Sequence, residues 1–115
     1  MDSIVFQVQG SQPDPYVVEF IKNGDGSLSV RCSCPAGDTG MHCKHRIGLL
    51  TGDTKDLVSR NKPELETVYA WLRGTALEKC LAEYLRLEKE LESMKRQLNK
   101  AKKQLAESMA KGSLG

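Results

Sequence analysis

The chain has 115 residues, a net charge of +2, 28% charged side chains and only 5% aromatic ones. No stretch approaches the roughly 18 apolar residues of a membrane span, and the net charge is too small to point to nucleic acid by itself. A core drawn from so short and hydrophilic a chain is marginal, so a metal, an oligomer or a long packed helix is expected to supplement it.

The opening "MDSIVFQVQG" has no basic segment and no long apolar run. No signal peptide is visible there, so the expected location is cytoplasmic, or nuclear in a eukaryote, and not secreted. In a reducing compartment, clustered cysteines are metal ligands or catalysts before they are disulfides. "SIVFQVQG" alternates Ile4, Phe6 and Val8 with polar neighbours, the period of a strand. "SQPDPY" reads as a loop through Pro13 and Pro15. "YVVEFIK" and "SLSVRC" are two further strands, joined by the hairpin signal "NGDG", Asn23 to Gly26. The fold expected is α+β: a small three-stranded antiparallel sheet, a short helix over "KHRIGLL" ending near Gly52, and a long C-terminal helix of coiled-coil character. "DTKDLVSRNK" reads as a linker. Pro63 suits the first turn of a helix that puts Leu65, Val68, Tyr69 and Leu72 on one face. Gly74 interrupts it, and Thr75 with Glu78 forms a capping-box pattern, so a new helix begins there or one helix bends.

From Leu77 onward the apolar residues Leu77, Cys80, Tyr84, Leu87, Leu91, Met94, Leu98, Ala101 and Leu105 alternate spacings of three and four. A helix of about 34 residues spans about 50 Å. A domain this small does not cover that length, so self-association through Leu77, Tyr84, Leu87, Leu91, Met94, Leu98 and Leu105 is expected. The bland alternative is a helix packed on its own domain or on the Pro63 helix. With Leu77 at heptad position a, parallel pairing sets Glu90 against Lys95 but Glu83 against Glu88, while antiparallel pairing sets Glu88 against Lys102. These pairs leave the orientation open. Cys80 lies on the seam and is expected to be buried and inert.

Three of the four cysteines and both histidines fall in "CSCPAGDTGMHCKH". The spacing is Cys32-x-Cys34, eight residues, then Cys43-x-His45. Three thiolates and one imidazole match the ligand set of a closed, tetrahedral structural zinc site, and sulfur donors select against magnesium and calcium. Pro35, Gly37 and Gly40 allow the chain to turn back between the two pairs. Cys43 and His45 fall at the start of the short helix, where free backbone N–H groups favour thiolate. An incidental group of thiols and a redox pair are the alternatives; Cys32-x-Cys34 is tighter than the C-x-x-C of thioredoxin-like sites.

These four residues, with the hairpin before them, Pro35 after the first pair and Ile47, Leu49 and Leu50 after His45, resemble the SWIM-type zinc finger, whose signature is C-x-C, a variable spacer, then C-x-H. The resemblance covers roughly residues 16–52 and implies one structural Zn2+ per chain on Cys32, Cys34, Cys43 and His45. It also prefers His45 to His42, which is read as an exposed loop side chain. Proteins with this finger include chromatin-type helicases, transposase-derived factors and ubiquitin-ligase-like proteins, in which it is a DNA-binding or protein-interaction module. The expected layout is therefore a SWIM-like domain over residues 1–60 and a helical region over 61–115, with the coiled coil at 75–111.

Basic residues cluster at two places. Lys95, Arg96, Lys100, Lys102 and Lys103 crowd the C-terminal half of the long helix, and Arg31, Lys44 and Arg46 flank the ligands. The bland reading is a solvated helix end whose cations suit the dipole, with Arg31, Lys44 and Arg46 paired to Asp38 and Asp53. The functional reading is contact with a phosphate backbone. No nucleophile–base pair, phosphate-cradling loop or open metal position is evident, so an enzyme is not expected. The function expected is a zinc-binding module that binds DNA and dimerises through its C-terminal helix. The alternative is an adaptor whose coiled coil recruits or oligomerises a protein partner.

Overall fold

The computed structural model describes residues 2–35 and 43–112. It contains strands β1 (Asp2–Val8), β2 (Tyr16–Lys22) and β3 (Leu28–Cys32), helix α1 (Lys44–Leu50), a 3-10 turn (Lys62–Glu64), helix α2 (Leu65–Leu72) and helix α3 (Ala76–Lys111). The architecture is α+β, as expected: an antiparallel sheet of order β1-β2-β3, short helices and a C-terminal helix of 36 residues. The chain divides into two compact units, Met1–Glu78 and Lys79–Gly115.

Strand alternation sorts the side chains of the first unit. In register, Phe6 faces Val18 and Val18 faces Cys32 across the sheet. Phe6, Val8, Val18, Phe20, Leu28 and Cys32 are buried on one face. Phe6 and Phe20 meet edge to face at 5.6 Å, a geometry the ring quadrupoles favour. The β2–β3 hairpin closes on a tight turn: the Asn23 carbonyl accepts from Gly26 N–H at 3.0 Å, and Asn23 N–H donates to the Ser27 carbonyl at 2.9 Å. Gly26 takes φ +88°, so the glycine, not the asparagine, supplies the left-handed residue of this loop.

Helix α1 covers the sheet with Leu49 and Leu50 and stops at Gly52. There Gly52 N–H reaches the Leu49 carbonyl at 3.3 Å and Asp53 N–H reaches Gly48 at 2.8 Å, a Schellman stop. Helix α2 buries Leu65, Val68 and Leu72, and the Tyr69 hydroxyl donates to the Leu49 carbonyl at 3.0 Å. A separate helix begins after Gly74. Glu78 N–H donates to Thr75 Oγ1 at 3.2 Å, while the Glu78 carboxylate accepts from Gly74 N–H at 3.0 Å, one residue earlier than a capping box predicts.

Two readings of the sequence are corrected. The segment read as a linker runs along the free edge of β1. Gln9 N–H donates to Asp56 at 2.8 Å, Val58 N–H donates to Gln7 at 2.9 Å, Val8 and Leu57 form a bridge, and the Asn61 amide donates to Val5 at 2.7 Å. These bonds satisfy main-chain groups that an edge strand otherwise leaves open. Cys80, expected to be buried, is exposed. Among the described residues α3 has no buried residue, and Cys80 shares the exposure of its helix.

Candidate metal centre

The four residues singled out by spacing come together in space. Each of Cys32, Cys34, Cys43 and His45 offers one ligand atom, and these atoms all lie within 4.8 Å of one another. The cluster could bind a metal ion. Cys32 is the last residue of β3, where strand period points it inward. Cys34 follows two residues later, and its N–H approaches Cys32 Sγ at 3.5 Å. Cys43 is the N-cap of α1, held at an extended φ of −133°, and His45 sits in the first turn. The hairpin thus delivers one pair of donors and the helix start delivers the other. His42, Gly37, Gly40 and Asp38 lie outside the described residues.

Two of the donor separations match a tetrahedral ion closely, one is shorter, and none exceeds 4.8 Å. Bonds of about 2.3 Å to sulfur and about 2.0 Å to nitrogen at tetrahedral angles require about 3.8 Å between sulfurs and about 3.5 Å from sulfur to nitrogen. Cys43 Sγ to His45 Nδ1 is 3.5 Å, and Cys32 Sγ to His45 Nδ1 is 3.9 Å. Cys34 Sγ to Cys43 Sγ is 3.2 Å, tighter than the ion would hold it by about half an ångström. Nδ1 is therefore the ring nitrogen that faces the sulfurs and could ligate an ion. Nε2 is shielded from solvent and has no hydrogen-bond partner among the described residues.

Electrostatics favour a cation at the centre. Cys34 and Cys43 are buried along with Cys32, and no charged side chain among the described residues is buried beside them. Burial, followed by the neighbouring sulfurs, pushes the Cys32 thiol up to about 12, although the Cys34 N–H opposes this. For Cys43 burial again acts upward, but the backbone N–H of Arg46, the neighbouring thiols and the backbone N–H of His45 together hold it below its ordinary value. The helix start thus lowers the Cys43 thiol while burial raises the Cys32 thiol, and a bound cation would favour the thiolate form of both.

Tyr16 and Gly10 were not singled out from sequence, yet they frame His45. The Tyr16 ring lies 5.1 Å from the imidazole at 47°. A Cβ on Gly10 would stand 2.3 Å from Tyr16 Cε2 and 3.4 Å from His45 Nε2. Glycine at position 10 is what lets the ring and the imidazole sit where they do. The only sequence signal was a glycine closing β1 ahead of the proline loop.

The other predicted residues are dispersed. Arg31 is exposed on the outer face of the sheet, opposite Glu19, and Lys44 is exposed at the start of α1. Arg46 is half-buried, and its Nη1 donates to the Val30 carbonyl at 3.1 Å, tying α1 to β3. Lys95, Arg96, Lys100, Lys102 and Lys103 are all exposed on α3. Of the seam residues, Leu87, Leu91, Met94, Leu98 and Leu105 are exposed, and Tyr84 is half-buried with its hydroxyl on Glu88 at 2.8 Å. Leu77 is half-buried and lines a hollow with Leu28, Ile47 and Leu50, so it belongs to the first unit. No helix among the described residues is long and apolar enough to cross a membrane.

No family model, curated protein or solved structure matches the chain.

Proposed function

We propose that the chain is a non-enzymatic, zinc-binding interaction module that dimerises through α3 and binds nucleic acid, DNA in the first instance. The observation that carries this reading is the convergence of Cys32, Cys34, Cys43 and His45 on one point. Soft thiolates with an imidazole suit Zn2+, and four protein donors leave no coordination position for a reacting water. Such an ion is structural: it would pin the end of β3 to the start of α1. The similarity of the C-x-C…C-x-H pattern to SWIM-type fingers supports the same assignment. Those fingers serve as DNA-binding or protein-interaction modules. Exposed Lys95, Arg96, Lys100, Lys102 and Lys103 support phosphate contact, which needs clustered charge and no base readout.

Metal analysis of the purified chain should give one zinc per chain. Electrophoretic retardation of duplex DNA should appear at low salt and weaken steeply as salt rises. Absence of retardation at low salt removes the nucleic-acid reading.

The exposed row Leu87, Leu91, Met94, Leu98 and Leu105 favours a second reading, in which the zinc is purely structural and α3 oligomerises the chain or recruits a protein partner. Under either reading, Leu91→Lys with Leu98→Lys should leave a monomer by light scattering. A wild-type chain that is already monomeric at tens of micromolar rules out self-association.

A further inference from the structure

Among the described residues, the apolar side chains of α3 are exposed from Leu87 to Met109. Leu87 is 48% exposed, Leu91 54%, Met94 63%, Leu98 55%, Leu105 60% and Met109 70%. From sequence the flanking charges left the direction of pairing open. The whole register, together with the place of half-buried Leu77 in the first unit, points to one direction. We infer that the occupant of this face is a second copy of the chain running antiparallel, in the register that sets Met94 against the partner's Leu98. The inference rests on the self-association reading above and adds direction and register to it.

Charge is the first argument. The N-terminal half of the helix carries Glu78, Glu83, Glu88, Glu90 and Glu92 against Lys79, Arg86 and Lys89, a small acidic excess, whereas from Lys95 to Lys111 the only acid is Glu107. An antiparallel partner lays acidic half over basic half. With core layers set by Met94 and Leu98, the flanking positions bring Glu88 to the partner's Lys102 and Glu83 to the partner's Lys111, each twice by symmetry. The two Lys95 side chains meet once at the dyad. Parallel pairing brings Glu90 to the partner's Lys95, but sets Glu83 against the partner's Glu88, so its attractions and repulsions cancel.

Volume is the second argument. Antiparallel layers set Leu91 against the partner's Ala101 and Tyr84 against the partner's Ser108, so a large residue faces a small one. Parallel layers put alanine on alanine, serine on serine and tyrosine on tyrosine, leaving thin layers beside an overfilled one. Leu87 then meets the partner's Leu105, and Met109, the most exposed of the row, meets the partner's Leu81. The register has no use for Leu77, which is already committed to the first unit.

Glu83 and Glu90 each hold Arg86 at 2.6 Å, and Glu88 accepts from Tyr84. All these partners are exposed or half-buried and lie on the same helix. Such pairs are weak and are easily shared with a partner's lysine.

The two directions give opposite signs for one substitution. Glu88→Lys sets lysine against the partner's Lys102 in the antiparallel pair, whereas in a parallel pair it replaces a Glu83–Glu88 repulsion with an attraction. Sedimentation equilibrium of the full-length, zinc-loaded chain at low ionic strength should show the Glu88→Lys dimer weakened about tenfold. Adding Lys102→Glu should restore it. Unchanged metal content and helicity would show that the variants are folded. A dimer that is unaffected or tightened by Glu88→Lys, or a double variant that is not rescued, overturns the antiparallel register while self-association stands. A wild-type monomer overturns self-association and this inference together.

Discussion

Cys32 Sγ and His45 Nδ1 stand 3.9 Å apart, although thirteen positions separate them in the chain. One side chain ends a strand and the other begins a helix, so whatever ion joins them joins the two halves of the first unit. Structural Zn2+ in small finger peptides has an apparent binding free energy of about 10–16 kcal/mol at neutral pH, comparable to or larger than the whole stability of a small domain. Cys34→Ser is therefore expected to abolish metal binding and to unfold residues 2–72, while α3 keeps much of its helical signal. Metal analysis and amide NMR would check this; a variant with native amide dispersion and no metal would refute the coupling.

Gly10→Ala tests the frame around the histidine. The added methyl would fall 2.3 Å from Tyr16 Cε2, so the ring must move toward or off the imidazole it packs against. Metal affinity, measured by competition with a chromophoric chelator, should fall about tenfold, the lower end for loss of a group that orients a ligand. Tyr16→Phe, which keeps the ring, should leave the affinity unchanged.

Tyr69→Phe removes the hydrogen bond to the Leu49 carbonyl that ties α2 to the end of α1. The expected loss is about 1 kcal/mol, read by urea denaturation of the metal-loaded chain. Burial, and secondarily Glu66, raises the Tyr69 pKa above its ordinary 10.0. A raised value means the fold favours the neutral phenol. The contribution is thus complete below pH 10.0 and fades as pH rises through the raised value. The wild type should lose stability in that alkaline window, and Tyr69→Phe should lose less.

Val58→Pro tests the segment that covers the edge of β1. It deletes the N–H that Val58 donates to Gln7 at 2.9 Å. A cost of about 1 kcal/mol is expected, with faster hydrogen exchange at Gln9 and a greater tendency to aggregate as the edge opens. Val58→Ala, which keeps the donor at a side chain 48% exposed, should be nearly neutral on all three measures.

Much of this was legible in the sequence, because the relevant signals are local. The two-residue period of Ile4, Phe6 and Val8, the turn residues of Asn23 to Gly26 and the four ligand types at fixed spacing each declare themselves within a few positions. The Gly74 break and the cap at Thr75 are likewise written into neighbouring residues. The seam of α3 was visible as a period, but a period does not say whether anything in the same chain covers it.

Tertiary structure decided the rest. "DTKDLVSRNK" has neither period and reads as a linker, yet main-chain groups pair without regard to side chains, and β1 had an edge to satisfy. Gly10 becomes necessary only because the Tyr16 ring crosses above it to reach His45. Which imidazole nitrogen faces the sulfurs depends on how α1 lies on the sheet, which no spacing records. The sequence by itself determined most of the elements and singled out the four residues that could hold a metal, since both follow from local pattern and spacing. Where the elements of the first unit meet follows from packing between residues far apart in the chain, and only the folded chain decides that.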